Sequence, residues 1–177
     1  MVNHLDETEK RWFAIRTRAR CEKWVRDVLE KKGIHSWVPL QKFARRYTRS
    51  VRLVERPLIN GYVFVSIVKA DYIPVLETEN VVAFVKSRKD LRAIPETELD
   101  ILRRITLETD LEVSAQAGAF AEGDPVQIIA GNLAGMSGRI LKMEGKHKMQ
   151  VELESLGYSL LITVNTAFLA NLKRVKN

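Results

Sequence analysis

The run Tyr62–Ile67, with the sequence YVFVSI, constrains the fold of this chain more than any other stretch. Nearly every residue in it favours β-structure, and residues 56–61 before it form a turn that contains apolar side chains. A strand that is apolar on both faces is usually a central strand, packed on both sides. Alternation gives one face to Val63, Val65 and Ile67 and the other to Tyr62, Phe64 and Ser66. We predict that the first face is core and that the second is either core or a binding surface.

Length and composition indicate a folded, soluble protein. The 177 residues allow one domain or two small ones, and 46% hydrophobic with 29% charged residues is typical of a globular chain. No apolar run approaches the roughly 20 residues that cross a bilayer, and the polar, acidic start is not a signal peptide. Cys21 is the single cysteine, which rules out an intrachain disulfide and argues against a cysteine-based metal site. We therefore expect a cytoplasmic protein that does not bind a membrane.

The positive charge is concentrated in the first part of the chain. Residues 1–107 carry 22 Lys/Arg and 14 Asp/Glu, whereas residues 118–177 carry 7 and 5. A basic first segment suggests a polyanion as partner, and the alternative is a solvated basic face without a ligand.

The first segment predicts strands alternating with helices. A basic helix is expected over residues 21–32, ended by Gly33. Another helix is expected to begin at Pro95 and to carry the apolar stripe Leu99, Leu102 and Ile105. A short helix is expected at residues 70–77, and a basic hairpin at 41–56 turns near residues 47–50. Strands are expected at residues 10–17, 34–40, 62–67 and 81–86. The predicted architecture is an α/β sandwich with one mostly antiparallel sheet and helices on one face.

The pattern changes after the helix that begins at Pro95. Residues 107–118 lack a clear period and have reversed charge, as expected of a linker. Short strands then alternate with turns, and glycines at 123, 131, 135 and 138 suit sharp turns or close backbone approach. We predict a small five-stranded β-barrel. The overall fold class is therefore α+β.

Two motifs resemble known domains. The spacing GD-x-V-x-x-x-x-G-x-x-x-G-x-x-G-x-I at residues 123–140 resembles the KOW motif of SH3-like barrels. The series RWFAIRT, basic helix, VPL, basic hairpin, RPLINGYVFVSI, VVAFVK and IPETEL resembles the NGN domain of NusG-family transcription elongation factors. The resemblance implies an NGN domain at 9–107, a linker at 108–118 and a KOW domain at 119–177.

The resemblance also implies a partner, RNA polymerase, whose β′ clamp helices seat in an apolar depression of the NGN domain. The positions that match this depression are Leu58, Ile59, Tyr62, Phe64 and Phe84; the alternative is that they are ordinary core. Arg18 matches a position that faces non-template DNA in specialised members, although an unspecific surface arginine is the alternative. The threonine patch that reads DNA in RfaH is absent from the corresponding region, residues 72–75. Any sequence-specific recruitment would therefore use other residues, with Arg45, Arg46 and Arg49 of the hairpin as candidates.

Several features favour a specialised branch. The turn has Asn60-Gly61 where the family commonly has Pro-Gly, and the arginine-rich hairpin is more similar to RfaH/UpxY-type antiterminators. The family's KOW domain binds NusE of the ribosome or the terminator Rho, and the matching loop is Leu156, Gly157 and Tyr158, expected as an exposed apolar knob. In RfaH this domain can refold into helices. We predict strands here, because Gly145 interrupts the helix-compatible stretch and YSLLITV favours β-structure.

No feature of the sequence supports catalysis, a cofactor or a metal site. The three histidines are scattered without a positioned partner, and no phosphate-binding glycine loop is present. We expect a monomeric, non-enzymatic transcription elongation factor, with processive antitermination as its role. The alternatives are a housekeeping factor coupled to Rho or the ribosome and, more distantly, a ribosome-associated RNA-binding protein that uses the KOW barrel.

Overall fold

The computed structural model describes residues 3–47, 50–87, 89–108, 111–117, 123–143 and 146–172. The chain forms two compact units, one made of Met1–Leu40 with Ile59–Leu99 and the other of Gln41–Leu58 with Asp100–Asn177. Its helices and strands are, in chain order, β1 (Arg11–Thr17), α1 (Glu22–Lys31), β2 (His35–Trp37), β3 (Leu40–Tyr47), β4 (Ser50–Pro57), β5 (Tyr62–Ile67), α2 (Tyr72–Leu76), β6 (Val81–Phe84), α3 (Glu96–Leu107), β7 (Val113–Ala117), β8 (Asp124–Ile128), β9 (Ser137–Met143), β10 (Lys146–Leu153), β11 (Tyr158–Thr163) and β12 (Leu169–Asn171).

A four-stranded antiparallel sheet forms the centre of the first unit, in the order β2-β5-β1-β6. β5 therefore lies between two neighbours, which confirms the prediction of a central strand. Its register places Val63 opposite Ile15 and Phe64 opposite Ala14 on β1.

One face of this sheet carries the core of the first unit. Val63, Val65 and Ile67 are fully buried and belong to one cluster with Val25 and Leu29 of α1. Burial of such a side chain stabilises the fold by about 1.5–3 kcal/mol. The prediction that these three β5 residues face the core is confirmed.

Helix α1 forms where the sequence predicts it and ends at the predicted glycine. The amide of Gly33 donates to the Glu30 carbonyl at 2.9 Å, and the amide of Ile34 donates to the Leu29 carbonyl at 3.0 Å. This pair of bonds is the Schellman arrangement, which satisfies carbonyls that the helix leaves without partners.

The other two helices also follow the sequence pattern. A 3-10 turn at Lys69–Asp71 leads into α2, and Pro74 lies in the first turn of that helix, where its missing amide is tolerated. In α3, Leu99, Leu102 and Ile105 are all fully buried, so the predicted stripe is confirmed.

Two strand boundaries differ from the prediction. We predicted one strand over residues 34–40 that ends near Pro39, but β2 already ends at Trp37 and a new strand, β3, begins at Leu40. Pro39 lies between them, and a proline cannot donate to a strand ladder. We also predicted a strand over residues 81–86, and β6 ends at Phe84.

The second unit contains a two-stranded sheet, β3-β4, and a six-stranded antiparallel sheet in the order β12-β8-β9-β10-β11-β7. Residues 48 and 49 of the predicted hairpin turn, and Gly145, lie outside the described residues. The stretches expected as strands on either side of residues 154–157 form β10 and β11. A side chain at Gly138 would collide with the Gln150 carbonyl on β10, so the expected close approach of backbones is confirmed there.

The sixth strand is β7, which forms inside the stretch that we predicted as a linker without regular structure. It pairs with β11, with Val113 opposite Ile162 and Ala117 opposite Tyr158. Its sequence, VSAQA, offers one valine and two alanines, so the alternating apolar signal is weak and the neighbouring strand decides the conformation. The domain boundaries that the resemblance implies stay a prediction.

Candidate protein-binding and nucleic-acid-binding surfaces

The second face of β5 carries two of the side chains predicted to bind polymerase, and both are buried. Phe64 is fully buried and Tyr62 is 9% exposed, and the ring of Trp37 lies 5.6 Å from that of Phe64. In the preceding turn, Leu58 and Ile59 are 7% and 1% exposed. These residues therefore lie in the interior of this structure and do not form an open depression.

Phe84 lies on the opposite face of the sheet from Phe64. It pairs with Ile15 across β1 and belongs to the core cluster, where its ring meets Phe13 edge-on with centroids 6.4 Å apart. Its other neighbour is Tyr72, stacked at 4.5 Å. The structure thus brings Tyr62 and Phe64 to one sheet face and does not bring Phe84 to it.

The turn before β5 is fixed by backbone and side-chain bonds around Gly61. Its amide donates to Glu22 Oε1 at 2.7 Å, and its carbonyl accepts the Thr17 amide at 2.8 Å. Gly61 has a φ of +77°, a conformation that glycine adopts without steric cost.

Glu22 is a positioning residue that the sequence analysis missed. It opens α1, yet it is only 5% exposed because its carboxylate reaches across to Gly61. The sequence does show an acidic residue at the start of a basic helix. An acidic residue at that position is also explained by its favourable interaction with the positive end of the helix dipole, so it does not by itself predict a contact with Gly61.

Arg18 lies in the exposed loop between β1 and α1. Its amide donates to the Asn80 carbonyl at 2.9 Å, which joins this loop to the one before β6. Each loop contains a residue other than glycine with positive φ, Arg20 at 64° and Asn80 at 66°. Such conformations are uncommon and occur in turns and at binding sites.

The basic hairpin forms, but only part of its predicted contact residues is described. Arg45 and Arg46 lie on β3, whereas Arg49 lies outside the described residues. On β4 the Arg56 guanidinium lies 6.0 Å from the centroid of the Phe43 ring, at the limit of a cation–π contact. Gln41 at the base of the hairpin is buried and donates to the Leu111 carbonyl at 2.5 Å.

The loop at Leu156, Gly157 and Tyr158 is a tight turn between β10 and β11. The expectation of an exposed apolar knob is wrong for Leu156, which is 6% exposed, because its amide bonds to the Leu153 carbonyl and folds the side chain inward. Tyr158 is half-buried in its pairing with Leu153 and Ala117.

A different apolar pair is exposed in the second unit. Ile129 and Phe168 are 57% and 50% exposed, and the Ile129 amide donates to the Phe168 carbonyl at 2.9 Å. This pair was not predicted, since two apolar residues 39 positions apart give no local signal in the sequence.

The described residues contain no group of three or more His, Cys, Asp or Glu side chains placed to hold a metal ion. Among them, no helix is both long enough and apolar enough to span a membrane.

Comparison with known proteins shows the family. A family model described as "Transcription termination factor nusG" matches residues 10–103, which is more than half of the chain. Proteins named "Transcription termination/antitermination protein NusG" from Streptococcus pyogenes serotypes M3 and M1 are 27% identical over 180 residues, which cover 95% of this chain and 99% of theirs. A solved structure, "Domain interaction in Thermotoga maritima NusG", shares the fold with a TM-score of 0.62 at 21% identity, covering 94% of this chain and 99% of that one. The chain therefore belongs to the NusG family of transcription factors.

Proposed function

We propose that this chain binds transcribing RNA polymerase and suppresses pausing and termination as a specialised, non-enzymatic antitermination factor in the cytoplasm. The observation that carries the proposal is the family match over residues 10–103, with relatives aligned along almost their whole length. The first unit supports it with a central strand, β5, that follows an apolar turn.

The proposed seat for the β′ clamp helices is the second face of β5 with its turn. Helical tips bind such seats by burying a few aromatic and aliphatic anchors. Tyr62 is the least buried of the five predicted anchors, at 9% exposure, so it is the first candidate for direct contact. Binding through Ile59 or Phe64 requires displacement of the side chains that cover them.

A polymerase pull-down tests this seat. Tyr62→Asp places a charge on the second face of β5 and should abolish retention of polymerase, while Tyr158→Asp, the matched change at a half-buried tyrosine of the second unit, should leave it intact. Thermal unfolding followed by circular dichroism identifies a variant that simply fails to fold. Equal retention by the wild type and a folded Tyr62→Asp variant would contradict the proposed seat.

The proposed contacts to non-template DNA are Arg18, Arg45, Arg46 and Arg49. Arg18 is exposed at the mouth of α1, and Arg45 and Arg46 share a basic hairpin with Lys42, Arg52 and Arg56, all three of them exposed. Lys and Arg side chains that follow one strand of nucleic acid give affinity without sequence preference.

The proposed partner surface of the second unit includes Gly157 and the exposed part of Tyr158, for NusE of the ribosome or for Rho. Because Leu156 is buried, its role would be to hold the turn rather than to contact the partner.

A housekeeping role is the second candidate. It is favoured by relatives named for both termination and antitermination that align with 95% of this chain. In vitro transcription on a template with a Rho-dependent terminator separates the two roles, because a specialised antiterminator lowers the terminated fraction and a housekeeping partner of Rho raises it. An unchanged fraction with polymerase bound would contradict both.

A further inference from the structure

A cavity of about 360 Å³ in the first unit has a basic rim and an apolar floor. It lies between the N-terminal segment, the start of α2 and the loop after β6. The described residues that line it include Lys69, Lys86 and Lys89, together with Tyr72, Ile73 and Leu91, and none of the described lining residues is acidic.

The lysines are available to an anion to different degrees. All three are exposed, and neither Lys86 nor Lys89 has an ion-pair partner among the described residues. Lys69 bonds to Glu7 at 2.5 Å, and this hydrogen bond raises the pKa of the Lys69 ammonium. Lys86 and Lys89 are therefore the primary cations, and an entering phosphate would compete with Glu7 for Lys69.

The floor offers a surface for a flat ring. Tyr72 is half-buried and stacked on Phe84 with an interplanar angle of 15°, so its ring is held in one orientation while it lines the cavity. Ile73 beside it is 53% exposed. A nucleobase stacks on such an aromatic platform whatever its identity, because every base has a π-face.

The walls are held in place by bonds between distant segments. Asn3 bridges to Leu91 in parallel, and the His4 amide donates to the Leu91 carbonyl at 2.9 Å. The Lys69 amide donates to the Asp6 carbonyl at 2.7 Å. The loop that carries Lys89 is closed by two backbone bonds between Ser87 and Asp90, at 3.0 and 2.9 Å. A preformed cavity loses less entropy on binding than a mobile one.

We propose that this cavity binds one nucleotide of single-stranded nucleic acid, with the base against Tyr72 and the flanking phosphates at Lys86 and Lys89. It is a contact separate from Arg18 and the hairpin arginines. The inference rests on the proposed function only for the presence of a nucleic acid near the bound protein.

Fluorescence anisotropy of the full-length protein with labelled oligonucleotides tests the proposal. The probes are a twelve-nucleotide oligo-dT, an oligo-rU of the same length and the corresponding duplex. Lys86→Gln/Lys89→Gln should weaken single-strand binding about tenfold at low salt and reduce the slope of log K against log salt by about 1.4, the value for two lost phosphate contacts. The matched control, Lys31→Gln/Lys148→Gln, removes the same charge at residues that do not line the cavity and should leave the slope within experimental error.

The stacking part is tested at Tyr72. Tyr72→Leu removes the ring but keeps an apolar side chain and should weaken binding about tenfold, whereas Tyr72→Phe keeps the ring and should bind as the wild type does. Circular dichroism melting verifies that each variant is folded.

Three outcomes would overturn the inference: no single-strand binding by the wild type, equal losses in the cavity variant and its control, or duplex bound as tightly as single strand. Preference for oligo-dT or oligo-rU identifies DNA or RNA as the source of the nucleotide. If polymerase is retained in the pull-down but no oligonucleotide binds, this inference fails and the proposed function stands.

Discussion

Glu22 and Gly61 show how one side-chain contact positions the candidate polymerase seat. The Gly61 amide is held by a carboxylate from α1, and its carbonyl is held by Thr17 at the end of β1. The turn that leads into β5 is therefore tied to two elements that are distant in sequence. A buried amide left without an acceptor costs free energy comparable to its desolvation.

Glu22→Ala should lower the free energy of unfolding by about 1–3 kcal/mol, because it leaves the Gly61 amide without its acceptor. Urea unfolding followed by circular dichroism measures the change. Asp27→Ala, on the exposed side of the same helix, is the control and should change stability by less than about 0.5 kcal/mol. Equal effects of the two changes would contradict a specific role for Glu22.

Glu30 predicts a pH dependence of stability. The Ser36 amide, which donates to its carboxylate at 2.6 Å, and then the His35 ring hold the pKa of Glu30 below its ordinary value. A carboxyl group whose pKa is lowered by folding contributes stability above its unfolded pKa of about 4.3, and that contribution is lost as the pH falls through the folded pKa.

The expected result is that wild type is more stable than Glu30→Gln at pH 7 and that the difference shrinks as the pH falls below about 4.3. Urea unfolding midpoints across this range measure it. A difference that stays constant with pH would mean that the Glu30 carboxylate gains nothing from these contacts.

At the scale of elements, the antiparallel pair β9 and β10 requires a glycine at position 138, where the two backbones approach closely. A methyl group at Gly138 would meet the Gln150 carbonyl and the Met149 side chain, and a backbone carbonyl cannot move aside without disturbing the ladder. Gly138→Ala should therefore destabilise the second unit by about 1–3 kcal/mol. Amide hydrogen exchange in β9 and β10 reports it locally, and Ser137→Ala, at the exposed neighbour, serves as control. Unchanged amide hydrogen exchange in Gly138→Ala would contradict the requirement for glycine at this position.

Elements with a strong local pattern were predictable, whereas elements made by pairing were not. The helical stripe and the glycine stop of α1 are local signals, so that helix could be predicted without knowledge of its neighbours in the fold. β7 has a weak pattern and exists through its bonds to β11. The start of a new strand at Leu40 likewise depends on pairing, because β3 pairs with β4 whereas β2 pairs with β5.

At the scale of the whole molecule, the charge distribution predicts how binding to a transcription complex depends on salt. The chain has a net charge of +7, and most of its bases lie before residue 108. A net positive charge raises the rate at which a protein associates with a polyanion, and this effect falls as the ionic strength rises.

Replacing Arg45, Arg46 and Arg49 with glutamine should therefore weaken binding to a transcription complex at low salt and have a smaller effect at high salt. Binding titrations at several salt concentrations measure this. The control removes three bases elsewhere, in Lys10→Gln/Lys31→Gln/Lys148→Gln. The same salt dependence in both triple variants would assign the effect to net charge alone and contradict a role for the hairpin.

The sequence by itself determined the central strand and its core face, the helices, the change to all-β structure and the family. Each depends on apolar residues that recur with a period of two or 3.6, on the positions of glycine and proline, or on a motif, and all of these are local features of the sequence. Only the tertiary structure decided that Phe84 faces away from Phe64, that Leu156 turns inward, and that Glu22 reaches Gly61. Those outcomes depend on which distant backbone lies alongside, and a side chain's neighbours across a sheet leave no trace in its own local sequence.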